Sequence, residues 1–289
     1  MWNRVVLLIL FLLLIFDGIA QQPYRAVFSG GRVYLSDDNK FSRVKNGQLI
    51  DGASQIELVG DALVVLMDNA GRLTTLTLSG KYELEQLDIR QVGDSSDFVK
   101  SVWETYYNTD AEAAGGKSAP IQIRESSQAP FELWIPSSSQ FYSNEVMLQW
   151  PAGQEPNYSV ELINEFGEIF ETTQVDKPEL LLDLGSSKLV WKDEVTVRVR
   201  QPGTGVVTPL HSLDRLAPPD YEKLDRLIKD HFQDEDFAMI LTKVAFFENQ
   251  WLFADAITVL SKLRKERNAL MKNFWNRYLI RNGFYSSRL

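Results

Sequence analysis

Residues 145–162 read EVMLQWPAGQEPNYSVEL. Two apolar triplets, Val146/Leu148/Trp150 and Tyr158/Val160/Leu162, alternate with other residues on either side of a segment holding Pro151, Gly153 and Pro156. A period of two turns one face of each run towards a core, so the stretch predicts two strands joined by a turn. The same alternation recurs further on, in Leu180/Leu182/Leu184 and Val195/Val197/Val199. FELWI at 131–135 and GEIFETT at 167–173 bring the set to six or seven strands within 125–210. Two packed antiparallel sheets are the arrangement that buries such faces, which predicts a β-sandwich.

The order V-x-L-x-W-P followed by Y-x-V-x-L resembles fibronectin type III and related immunoglobulin-like modules, with Trp150 as the core tryptophan. That resemblance implies a module that positions other domains or binds proteins and sugars, and no chemistry of its own.

Towards the N-terminus, within 21–92, short runs follow one another: RVYLS (32–36), QIELV (55–59), ALVVLM (62–67), LTTLTL (73–78) and KYEL (81–84). SDDN, KNGQ, VGD, DNAG and SG separate them, all with residues that tolerate φ > 0. The pattern predicts a small antiparallel β domain with turns at each of those points. Val65 before the D-x-x-G turn of Asp68 and Gly71, with Leu76, Gly80 and Tyr82 after it, resembles the periplasmic FecR family of sensor regulators. The resemblance implies an envelope sensing or interaction module. Residues 1–20 hold one Arg4, an apolar run over 5–16 and small residues at Gly18 and Ala20, the pattern of a signal peptide cleaved near Ala20. The run is shorter than the roughly 20 residues a membrane span needs. The expected location is the periplasm or the exterior, with no transmembrane segment in the mature chain.

Residues 93–124 read as a helix and linker. N-cap candidates at Asp94 and Asp97 precede a stripe of Phe98, Val99, Val102, Trp103 and Tyr106, expected to pack on the first sheet, and Gly115-Gly116 marks the domain boundary. Beyond a loop over 203–219 the period changes from 2 to 3.6. Four helices are predicted within 218–285: one opened by Pro218-Pro219, one capped around Asp236, one from Phe253, and one from Asn268. The middle two resemble a single tetratricopeptide hairpin, with Val244, Phe247, Ala256, Leu260 and Leu263 at its packing positions. The fold class is therefore multidomain and mainly β, with a C-terminal all-α part: a small antiparallel β domain, a β-sandwich and a helical hairpin bundle.

A formal net charge of −9 argues against a nucleic-acid partner, since an acidic surface repels phosphates. The absence of cysteine removes disulfides, zinc–thiolate sites and thiol nucleophiles. His211 and His231 have no second histidine at metal-ligand spacing, and the familiar nucleophile, phosphate-loop and dinucleotide motifs are missing. No catalytic residue, cofactor or metal is expected. Exposed aromatics mark interfaces and sugar platforms, which singles out Trp134, Trp191, Trp103 and Tyr106. The resulting expectation is a non-enzymatic interaction or scaffold component of a Gram-negative-type cell envelope, with a protein as partner. The alternative is a carbohydrate- or peptidoglycan-binding protein.

Overall fold

The computed structural model describes residues 23–37, 40–52, 54–87, 96–114, 131–153, 157–186, 188–190, 192–233, 236–266 and 268–282. The expected signal peptide and Trp191 therefore lie outside the described residues, as do Gly115-Gly116. Two compact units are present, residues 1–100 and 101–289.

The first unit is built on two long antiparallel strands, β1 (Tyr24–Asp37) and β4 (Gln55–Met67). Strands β2 (Lys40–Arg43) and β3 (Leu49–Ile50) pair with the two halves of β1; β5 (Leu73–Leu76) and β6 (Gly80–Glu83) pair with those of β4. QIELV and ALVVLM are thus halves of one strand, and the VGD segment between them is not a hairpin turn. It sits opposite Gly30 and Gly31, where the register shifts. Gly31 has φ +78, and a Cβ there would meet Ala62 Cα and Asp61 O at 2.9 Å, so only glycine lets the two strands approach at this kink. The shift keeps Tyr24, Ala26, Val33 and Leu35 on the same face as Ile56, Leu58, Val64 and Leu66, in one apolar cluster. Asp68 organises the D-x-x-G turn. Its Oδ1 accepts from the N–H groups of Ala70 and Arg72 at 2.9 and 2.8 Å, and its Oδ2 from Arg72 Nε at 2.6 Å.

In the second unit a sheet runs in the order β10 (Ile169–Val175), β9 (Tyr158–Ile163), β12 (Glu194–Gln201), β14 (His211–Arg215), β7 (Ser138–Phe141), with β13 (Val206–Val207) also on β12. A two-stranded sheet, β8 (Glu145–Gln149) with β11 (Glu179–Asp183), faces it. Trp150 carries the contact across, meeting Tyr158 edge-on at 5.4 Å, while Phe131 stacks on Tyr158 at 5.9 Å. Both runs of the 145–162 stretch are buried as their alternation predicts. The expected loop over 203–219 instead holds β13 and β14, and β14 pairs in parallel with β7. FELWI forms no ladder strand; its Trp134 N–H bonds to Gln149 O at 2.8 Å along the edge of β8.

Helix α1 (Ser96–Ala114) belongs to the second unit from Ser101. Four helices follow the sheets: α2 (Pro218–His231), α3 (Phe237–Asn249), α4 (Phe253–Glu266) and α5 (Asn268–Arg281). Asp236 caps α3 by accepting from Met239 N–H at 2.8 Å. Val244, Phe247, Ala256, Leu260 and Leu263 are all buried. Helix α4 lies against β8, where Thr258 Oγ1 accepts from Met147 N–H at 2.8 Å and Lys262 pairs with Glu145 at 2.9 Å. Strand β8 therefore buries its inner face in the sheet core and has its free edge covered by a helix. None of the described helices is long and apolar enough to cross a membrane.

The turn between α3 and α4 ends with Trp251 at φ 61, in the left-handed region. Leu252 N–H reaches Phe247 O and Trp251 N–H reaches Glu248 O, both at 2.9 Å, a Schellman cap whose left-handed position normally belongs to glycine. The indole is 58% exposed and touches Phe253 at 5.9 Å. Trp251→Gly is expected to raise stability by about 0.5–1 kcal/mol, read as a higher urea midpoint, because the left-handed cost to a side chain disappears.

Candidate interaction site

The aromatic residues singled out from sequence are occupied within the second unit. Trp103 is buried, and its Nε1–H donates to Thr242 Oγ1 of α3 at 3.0 Å. Tyr106 is buried too, with the Arg281 guanidinium 4.1 Å over its ring. Of the α1 stripe expected on the first sheet, Trp103 and Tyr106 thus meet α3 and α5. Trp134 is half-buried, edge-on to Trp275 of α5 at 5.8 Å. These three rings offer no flat exposed platform to a sugar.

A second cluster joins sheets to helices. Asp255, fully buried at the start of α4, accepts from Tyr142 N–H and Ser143 N–H at 2.9 and 2.8 Å. Burial pushes its carboxyl up, while the hydrogen bonds from Ser143 and Tyr142 and the Lys243 charge oppose the shift. Tyr142 Oη donates to Asp225 of α2 at 2.8 Å, and its ring stacks on Tyr221 at 5.1 Å. Asp255, Tyr142 and Asp225 thus hold one another across sheet and helices, and the cluster is a fastening. His211 is a separate case. It is buried with Nδ1 3.1 Å from Pro136 O, which can only accept, so Nδ1 carries the proton. Its Nε2 has no partner among the described residues. Burial lowers its pKa below 6.5, against the hydrogen bonds to Pro136 and Ile135. The unfolded chain binds this proton more readily, so the His211 contribution is intact above pH 6.5 and is lost as pH falls through the depressed folded value. His211→Asn is expected to flatten that acid limb of the stability–pH curve, measured by urea unfolding between pH 7 and 5.

The outer face of the larger sheet is polar. Glu161 accepts from Arg198 Nε at 2.7 Å and Arg200 Nε at 3.1 Å; burial alone would raise its carboxyl, but these two guanidiniums outweigh it and hold the pKa low.

Among the described residues β10 and β11 each have one strand neighbour, β9 and β8 respectively, and they follow one another through Asp176, Lys177 and Pro178. A recess of about 510 Å³ lies beside them, lined by Met147, Gln174, Val175, Lys177, Glu179, Leu181 and Lys265 among others. Glu179 is fixed there by Lys265 at 2.9 Å and Gln149 at 3.0 Å. Burial would raise its pKa, and these contacts with the Arg264 charge bring it below the usual range. Ile169, Phe170 and Leu181 are exposed along the same edge, with Phe166 at its hairpin tip 77% exposed. Main-chain donors and acceptors beside a recess of mixed apolar and charged lining recognise extended chains. No grouping of three or more histidine, aspartate or glutamate residues able to hold a metal exists among the described residues. Sequence reasoning missed this edge; the Leu-rich ELLLD segment between Pro178 and Gly185 is the trace it leaves.

Neither any protein-family model nor any curated protein matches this sequence.

Proposed function

We propose that the chain is an exported, non-enzymatic interaction or scaffold component of a Gram-negative-type cell envelope, working through a protein partner. The observation that carries the reading is the pair of edge strands, β10 and β11, each with one strand neighbour among the described residues, flanking the 510 Å³ recess. The signal-peptide pattern of residues 1–20 supports export. The strand order β10-β9-β12-β14-β7 against β11-β8 supports the fibronectin- or immunoglobulin-like reading of the sheets, in which a larger sheet faces a smaller one. Burial of Val244, Phe247, Ala256, Leu260 and Leu263 supports the tetratricopeptide-like reading of α3 and α4, and the Asp68 turn is consistent with the FecR-like reading of the first unit.

The test is in-cell photo-crosslinking of the full chain, with a photoreactive residue at Leu181, Phe166 or Phe170, followed by fractionation. The expected result is an adduct with another polypeptide, formed from at least one of these positions, in the envelope fraction. Recovery of the chain from the cytoplasm, or no adduct from any of the three, overturns the reading.

A further inference from the structure

Strand β11 sits opposite β8 with Leu180 facing Leu148 and Leu182 facing Val146. Two bonds in that register fix its phase: Trp150 N–H to Pro178 O at 3.1 Å and Leu184 N–H to Asn144 O at 2.7 Å. In an antiparallel ladder the bonded positions alternate, so Leu180 and Leu182 spend their main-chain groups on β8. The N–H and C=O groups of Glu179 and Leu181 and the N–H of Asp183 point the other way, and no strand pairs with them among the described residues; the Asp183 C=O accepts from Ser186 N–H at 3.3 Å in the turn that follows. Their side chains share the sheet face of Met147, with Leu181 42% exposed.

We propose that this edge of β11 binds an extended peptide segment of a partner protein by antiparallel strand addition, and that the segment carries a cationic residue two positions before an apolar one. The inference rests on the interaction reading above and names the partner's chemistry. A residue added opposite Leu181 shares its face, so an apolar side chain is matched there. Asp183 is exposed, and among the described residues its carboxylate accepts from the nearby Gly185 N–H at 2.9 Å and meets no cation, which leaves its charge for one in the cross-strand position. Running antiparallel, the peptide passes Asp183 first, then Leu181, then reaches the recess beside Glu179, Lys177 and Lys265.

A second copy of this chain is the wrong occupant on charge. Antiparallel self-pairing about Leu181 would set Glu179 against Asp183 twice, and like charges directly opposite are destabilising. Strand β10 is the wrong edge. Its Glu171 lies on the core-facing side opposite Leu162, held by Lys188 at 3.5 Å, and Lys192 sits 5.2 Å over Phe170. Inward charges and lysines are how natural sheets block strand addition, and β11 has no inward charge.

The test titrates the purified full chain against a fluorescent peptide with Lys two positions before Val in a Thr-rich background, beside the same peptide with Glu for Lys. The Lys peptide is expected to bind more tightly by roughly two- to thirtyfold, the scale of a cross-strand charge pair reversed. Leu181→Pro removes an outward N–H without touching the β8 ladder and is expected to weaken binding by roughly tenfold. Asp183→Lys is expected to reverse the peptide preference. If Leu181→Pro does not fold, the charge reversal and slowed amide exchange at Leu181 and Asp183 on peptide addition decide the matter. Equal binding of the two peptides, binding indifferent to Leu181→Pro, or a dimer of the free chain that Leu181→Pro dissolves each overturns the proposal. An in-cell adduct that persists in Leu181→Pro sinks this edge and leaves the interaction reading standing. Peptide binding without any adduct does the reverse.

Discussion

Replacing Asp255 by alanine is expected to destabilise the chain by about 2–5 kcal/mol, because two part-buried N–H groups lose their acceptor together. Tyr142 and Ser143 leave β7 for β8, and their amides share the fully buried carboxylate of α4. The measurement is urea unfolding of the full chain, followed by far-UV circular dichroism. Asp255→Asn keeps one acceptor oxygen but turns an N–H towards the second amide, so it is expected to recover only part of the loss. The pH dependence distinguishes the two roles of the carboxylate. Its folded pKa is raised above 3.8, so the native state holds the proton more tightly, and its contribution is full below that value and falls as pH rises through the raised one. The Asn variant is expected to lack that slope. A loss below about 1 kcal/mol in Asp255→Ala would show that water or a neighbouring group takes over both amides.

Trp150→Ala is expected to cost about 3–5 kcal/mol and to pull helical signal down with the sheets. The indole is fully buried against Tyr158, so its loss leaves a large cavity in the core. The informative readout is the helix. Because β8 carries Trp150 on one side and receives α4 on the other, the sheets and helices of the second unit are expected to unfold in one transition. Ellipticity at 222 nm and tryptophan fluorescence should shift to the same lower midpoint. Helical signal that keeps its wild-type midpoint would mean that the helices hold together without the sheets.

Much of this architecture is legible in the sequence where side chains report their surroundings. The triplets at 146/148/150 and 158/160/162 mark the apolar faces that meet between the sheets, although their neighbours Met147, Gln149, Ser159 and Glu161 are buried as well, and the helices announce themselves through Pro218, Asp236 and their apolar period. Reading fails where the backbone acts without side-chain signature. Gly60 with φ +67 looks like a hairpin turn in VGD, but it belongs to the kink of one long strand facing Gly31. HSLDR at 211–215 is too polar to read as a strand, yet it pairs with both β12 and β7. The aromatic stripe of α1 is correctly apolar, but sequence cannot say which layer it enters; Trp103 and Tyr106 go to α3 and α5. The open edge of β11 is a property of main-chain phase, set by which residues bond to β8, and amino-acid identity carries almost none of it.

The helix laid along β8 has a practical consequence for anyone dissecting this chain. Cutting before Pro218 would strip Thr258 from Met147, Asp255 from Tyr142 and Ser143, and Trp275 from Trp134 in a single step. The truncated product would carry a raw, sticky margin and tend to aggregate. A soluble expression clone therefore has to keep residues 101–282 in one piece, α1 included, and gene shuffling that swaps the strand-rich half without its helices would yield inclusion bodies.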